Sequence, residues 1–118
     1  MNKNILKQKT RERKKTKIRS KISGTALRPR CSVFKSLSHL NVQLIDDDTQ
    51  KTIISLNTIS LDLKGKKKTE MAYEIGKKLA ETAKTKGITT IVFDRNGYIY
   101  HGRIAKVADG LRDGGLVF

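Results

Sequence analysis

Residues 94–103 read Asp-Arg-Asn-Gly-Tyr-Ile-Tyr-His-Gly-Arg. Arg95, Asn96, Gly97, Tyr98, Tyr100, His101, Gly102 and Arg103 thus bring two arginines, a histidine, two tyrosines and two glycines into ten residues. Arginines clamp phosphates through paired N–H donors. Aromatic rings stack on bases or riboses, and glycines allow close backbone approach. These are the means of holding a folded nucleic acid. The plainer alternative is a packed strand-to-helix loop with a tyrosine anchor.

Residues suited to catalysis are sparse. Asp46-Asp47-Asp48, with Asp94 at the end of an apolar strand, could form the acid cluster of a metal-dependent nuclease. Three consecutive acids at a hairpin read more simply as a solvated turn. His39 and His101, the two histidines, share no metal-ligand spacing with a partner, and no Ser/His/Asp arrangement or glycine-rich phosphate loop is recognisable. The single cysteine, Cys31, excludes an intrachain disulfide and a Cys-based metal site, and fits a reducing compartment. Its apolar, alternating surroundings make it a small core residue. The expectation is a protein without enzymatic activity, cofactor or metal.

Charge identifies the class of partner. Residues 1–30 hold Lys3, Lys7, Lys9, Arg11, Arg13, Lys14, Lys15, Lys17, Arg19, Lys21, Arg28 and Arg30 against one acid, Glu12. That segment carries +11 of the chain's +15. A polybasic arm on a nearly balanced domain is the footprint of a protein that wraps a polyanion. The arm's few large apolar residues cannot offset its ordering entropy, so residues 1–24 are expected to be disordered until RNA orders them. Residues 25–118 form one domain with room for one modest core. No apolar run approaches the ~18–20 residues of a membrane span. The N-terminus has no apolar signal core, and it runs into Arg28-Pro29-Arg30 without the amphipathic, Ser-rich character of a transit peptide.

The domain's elements follow from periodicity. Period-two alternation over Arg30–Leu37, Leu40–Asp46 and Lys51–Asn57 predicts a three-stranded antiparallel meander. One side is apolar. The other is neutral and hydrogen-bonding, with Ser32, Ser36, Asn41 and Gln43 around Phe34. A connector ends in Lys64, Lys66, Lys67 and Lys68, and Thr69 then caps a helix running to Lys86. Ala72, Ile75, Gly76, Leu79 and Ala83 are its buried stripe, and Gly87 ends it. Thr89–Asp94 reads as a buried strand, parallel to an earlier one because a helix precedes it. Asn96-Gly97 is a hairpin signal, but Arg103–Asp113, with Ile104, Val107, Ala108 and Leu111 on one face, favours a loop into a last helix. Gly110 inside that helix costs ~1 kcal/mol relative to Ala. The fold class is therefore mixed α+β: meander, helix, parallel strand and C-terminal helix behind a basic arm.

These segments resemble a known family. The residues that carry the likeness are Ser23-Gly24-Thr25-Ala26, Arg28-Pro29-Arg30 and Val33-Phe34-Lys35-Ser36 in the first half. Lys68-Thr69-Glu70, Phe93-Asp94-Arg95-x-Gly97-Tyr98-x-Tyr100-His101-Gly102-Arg103 and Gly115-Leu116-x-Phe118 follow. The chain is similar to the eighteenth large-subunit ribosomal protein of bacteria and organelles. The resemblance implies a structural protein of the central protuberance. It would bind 5S rRNA and help attach it to 23S rRNA, beside the fifth large-subunit protein and others, with no membrane contact. It also implies that Tyr100-His101-Gly102-Arg103 leads into the last helix. Asn96 stands where many members have glycine. Abundant Ile, Lys, Asn and Thr suggest an A/T-rich genome, so the ribosome would be in a plastid stroma or a bacterial cytoplasm.

The expected RNA contacts fall into four groups. The arm cations from Lys7 to Lys21 would neutralise phosphates. Arg28, Arg30, Lys35, Ser36 and His39 would act around the first strand, beside Phe34, Asn41 and Gln43. Lys66, Lys67, Lys68 and Thr69 would form an anion site at a helix N-terminus. Residues 95–103 would read shape. A general nucleic-acid chaperone of the same charge is the alternative to one cognate RNA.

Overall fold

The alternating segments form three strands, β1 (Arg30–Lys35), β2 (Leu40–Asp46) and β3 (Lys51–Asn57). The structure, a computed structural model, describes residues 10, 12–13, 23–61 and 65–118. Lys7, Lys9, Arg11, Lys14, Lys15, Lys17, Arg19 and Lys21 lie outside the described residues, as does the expected disorder of that segment. Arg13 is described and exposed.

β1 and β2 pair antiparallel, with Val33 opposite Val42 and Phe34 opposite Asn41. β2 and β3 continue the meander, and a bulge between Leu44 and Ile45 places Ile53 out of step. Ile53 thereby packs against the core, although alternation put it on the polar side. β1 is shorter than its pattern. After Lys35 the Ser36 N–H bonds to His39 O at 2.9 Å, closing a turn that leaves Leu37 exposed.

A fourth strand, β4 (Val92–Asp94), pairs parallel to β1, giving the order β3-β2-β1-β4. The predicted strand began at Thr89. Pro29 explains the difference, because its carbonyl takes the Val92 N–H at 2.9 Å but it has no N–H to continue the ladder. Residues 89–91 instead bond to Val117, whose N–H reaches Thr89 O at 2.9 Å and whose carbonyl accepts from Ile91 N–H at 3.1 Å.

Two helices, α1 (Lys68–Thr85) and α2 (Arg103–Asp113), cover one sheet face. The cap of α1 is Lys67, not Thr69 as the sequence suggested; the Lys67 N–H donates to the Glu70 carboxylate at 3.3 Å. The core joins Cys31, Val33, Leu40, Val42, Leu44 and Ile54 of the sheet to Ile75, Leu79, Ile104, Val107 and Leu111 of the helices. Burial pushes the Cys31 thiol well above its ordinary value. Asn96 and Gly97 both adopt positive φ, of 56° and 78°. They form a tight turn but no hairpin, because Tyr98 turns inward to 8% exposure and the chain runs on into α2.

The helices approach as closely as backbones can. A Cβ at Gly76 would meet Val107 O at 2.4 Å, and one at Gly110 would meet Tyr73 O at 2.2 Å. The mid-helix glycine that looked like a local cost is thus required by packing. Gly110→Ala gains about 1 kcal/mol of helix propensity but forces the helices apart, and overpacking of this kind costs about 1–3 kcal/mol. The expected net effect is a lower unfolding midpoint in urea, and a higher midpoint would contradict this packing.

Candidate nucleic-acid interface

Arg30 stands at the start of β1, where the sequence placed a phosphate ligand. Its guanidinium is otherwise engaged. Nε and one terminal nitrogen bond to the two oxygens of Asp47, each at 3.1 Å, and the other terminal nitrogen bonds to Asp94 Oδ2 at 2.8 Å. The side chain is 12% exposed and Asp94 is fully buried. Burial alone would lower the Arg30 pKa, and the bonds to the two carboxylates raise it instead. Asp47 Oδ2 also accepts the Gly24 N–H at 2.7 Å, and Asp94 Oδ1 accepts the Asn96 N–H at 2.9 Å. Arg30 therefore orients the residues entering β1 and the loop leaving β4. The three aspartates are not one site, since Asp46 turns to Asp48 N–H and Thr49 instead.

At the other end of β1 several expected contacts converge. The Tyr98 hydroxyl donates to Lys35 O at 3.3 Å, and Lys35 Nζ lies 5.0 Å from the Tyr98 ring centroid. Tyr98 is thus the loop's anchor, with no exposed face for stacking. Arg95 braces the same loop by donating to Tyr98 O at 3.0 Å. Arg103 donates to Ser36 O at 3.0 Å, joining the start of α2 to the β1–β2 turn. A narrow crevice lined by Ser38, Leu40, Thr58, Lys68, Met71 and Arg103 brings the N-terminus of α1 to the same place. His39 sits beside it, with Nδ1 3.1 Å from Thr58 Oγ1. The same oxygen accepts the Leu40 N–H at 3.0 Å, so Thr58 ties His39 to the start of β2. Lys35, Ser36, His39, Lys68 and Arg103 therefore form one rim.

The sheet face away from the helices carries the neutral patch. Ser32 pairs with Gln43 and Phe34 with Asn41 in register, so all four side chains share that face. They line a shallow, open depression of about 240 Å³, beside which Phe34 is 52% exposed. A ring there can stack, and the amides offer both donors and acceptors.

Other residues stand apart. Arg28 is exposed at the other end of β1, beyond buried Pro29. Lys66, Lys67, Lys68 and Thr69 are all exposed, but Lys66 Nζ lies 3.7 Å from Glu74, which reduces the positive potential of that turn. Asn96 is 3% exposed and shapes the turn rather than the surface. Tyr100 (45% exposed) and exposed His101 lie at the other side of the loop. Thr58, whose hydroxyl contacts His39, carried no signal in the sequence. Ser32 did, through the alternation.

Among the described residues, no group of His, Cys, Asp and Glu could hold a metal ion, and no helix is long and apolar enough to cross a membrane. Cations and hydrogen-bonding groups on a fixed scaffold belong to a structural domain that grips a polyanion. The family model described as ribosomal L18 of archaea, bacteria, mitochondria and chloroplasts matches residues 5–118. The chain is 50% identical over 113 residues to large ribosomal subunit protein uL18 of Anaeromyxobacter sp. (strain K), spanning 92% of this chain and 95% of that protein. It is 51% identical over 112 residues to the Chloroherpeton thalassium uL18, with 92% of each covered. It is 52% identical over 108 residues to that of Brachyspira hyodysenteriae, again with 92% of each covered. The chain belongs to the ribosomal L18 family. It is a ribosomal protein of bacterial type, structural rather than enzymatic.

Two substitutions test the role of Arg30. Asp94→Ala leaves Arg30 half-paired beside a buried void and is expected to cost about 3–5 kcal/mol of stability, read by chemical unfolding. Arg30→Met is expected to leave the salt dependence of RNA binding unchanged. A slope shallower by ~0.7–0.9 would instead mark Arg30 as a phosphate contact.

Proposed function

We propose that this chain is a structural constituent of the large ribosomal subunit that binds 5S rRNA through its folded domain and tethers it to 23S rRNA through its basic arm. The identities of the two RNAs come from the family resemblance. The division of labour comes from one observation: the root of the arm and the basic rim are at opposite ends of β1. Gly24, which we take as the limit of the arm, is fixed at the Arg30 end by two bonds to Asp47, of 2.7 and 3.0 Å. Lys35 and Ser36 are at the other end, about 17 Å away at ~3.3 Å per residue.

The rim and the neutral patch support a shape-reading role. Arg103, His39, Lys35 and Lys68 are supplied by four different segments; the Arg103 guanidinium's bond to Ser36 O and the Ser36 N–H bond to His39 O support a spacing set before RNA arrives. Phe34, Asn41 and Gln43 adjoin them, able to meet an unpaired base or ribose. The arm supplies many like charges, which suits neutralising phosphates between RNA strands. The proposed protein neighbours are the fifth large-subunit protein and others of the central protuberance.

Arg103→Ala is expected to weaken binding to 5S rRNA by about 1–3 kcal/mol and to affect a length-matched control RNA much less. Filter binding or fluorescence anisotropy at fixed salt gives the answer. Equal loss on both RNAs would favour a general nucleic-acid chaperone.

A further inference from the structure

The outer edge of the sheet carries an apolar surface whose centre, Leu27, Val117 and Phe118, lies outside the expected RNA contacts, although Tyr100 and Arg28 at its margin are among them. β4 pairs with β1 on one side only. Along its other side runs a strip of apolar residues linked by named contacts. Leu27 is 88% exposed, and its carbonyl takes a bond from Thr90 Oγ1 at 3.4 Å. Thr90 bridges to Val117, which is 64% exposed. Next to Val117, Phe118 stacks on Phe93 at 5.5 Å, and Tyr100 meets Phe93 edge-on at 6.1 Å. The Arg112 guanidinium lies 4.3 Å from the Phe118 ring centroid and donates to the Tyr100 hydroxyl at 3.3 Å. The rings are therefore held in place, and covering them loses little side-chain entropy.

We infer that this strip is a docking site for a neighbouring ribosomal protein that presents aliphatic side chains with carboxylates at their rim. The inference rests on the family assignment, which places other proteins nearby, and not on which RNA is bound. Chemistry selects the occupant. Leu27 and Val117 can neither stack on bases nor bond to phosphate, so they suit protein rather than RNA. Arg112 already bonds to Tyr100 and covers Phe118, so it offers a fixed positive edge more than a phosphate clamp. Exposed Arg28 and Arg112 flank the strip, which calls for negative charge on the partner. A second copy is disfavoured because each chain carries +15. Tyr, Phe and Arg around an exposed aliphatic centre match the composition of residues that dominate interface energies.

The test uses the full chain, isotopically labelled, mixed in turn with individually purified large-subunit proteins of a bacterial relative. NMR is recorded at physiological salt. The expected result is that at least one protein shifts the Leu27, Val117 and Tyr100 signals together. Leu27→Glu and Val117→Glu should each weaken that complex about tenfold or more. Both positions are exposed, so the fold should be retained, and 5S rRNA affinity should stay at its original value. Three results would overturn the inference: no protein shifts the strip, the glutamate variants bind a partner unchanged, or 5S rRNA itself shifts the strip and loses affinity with the variants. If Arg103→Ala fails to lower 5S rRNA affinity while the strip still binds protein, the RNA reading fails and the docking site stands.

Discussion

The pairing of Arg30 with two aspartates from distant parts of the chain is the interaction on which the geometry of both ends of the sheet depends. Asp47 comes from the β2–β3 turn and Asp94 from the end of β4, 64 positions from Arg30 in the second case. Each carboxylate has a second partner on the backbone, Gly24 for one and Asn96 for the other. One guanidinium therefore fixes where the chain enters the domain and how the loop toward α2 begins. Such a cluster needs all its members. Without Arg30, buried Asp94 and half-buried Asp47 would lose the positive charge that offsets their lost hydration, and Arg30 without them would be an unpaired charge against an apolar sheet.

The layers then decide what is available to a partner. Both helices lie on one side, and their glycine-mediated contact makes that layer thin and dense. The opposite face is left with Ser32, Phe34, Asn41 and Gln43 in register. Among the cations that rim this face, Arg103 donates from its guanidinium to Ser36 O and so joins α2 to the β1–β2 turn. On the proposed reading the rim and the arm would act differently on RNA. The first would select a surface by spacing, and the second would contribute affinity that falls with salt. The aromatic edge at β4 is a third kind of surface, suited to a protein.

Much of this was legible in the sequence, and the reasons for the rest are specific. Periodicity gave the bounds of β2, β3 and α2, because each has strict alternation or a clear apolar stripe with turn residues at its ends. The start of β4 was missed because the pairing of residues 89–91 with Val117 is a long-range choice, invisible in a local apolar run. The α1 cap was assigned to Thr69 from side-chain type, whereas the backbone turns at Lys67 and uses Glu70. Among site residues, Lys35, Ser36, His39, Phe34, Asn41, Gln43 and Arg103 all lie where contacts with RNA are feasible. Arg30 and Tyr98 have the right chemistry but face inward. No sequence pattern distinguishes a phosphate-binding arginine from one satisfied by carboxylates far along the chain.

The most direct measurement is a bridging assay with labelled 5S rRNA and 23S rRNA. The full chain is compared with one lacking residues 1–22, which leaves every described core residue in place. If the two ends of β1 serve two RNAs, the full chain co-sediments both in one complex. The shortened chain then retains 5S rRNA and leaves 23S rRNA behind. If the shortened chain still recruits 23S rRNA, or loses 5S rRNA altogether, the assignment of one RNA to the domain and the other to the arm is wrong.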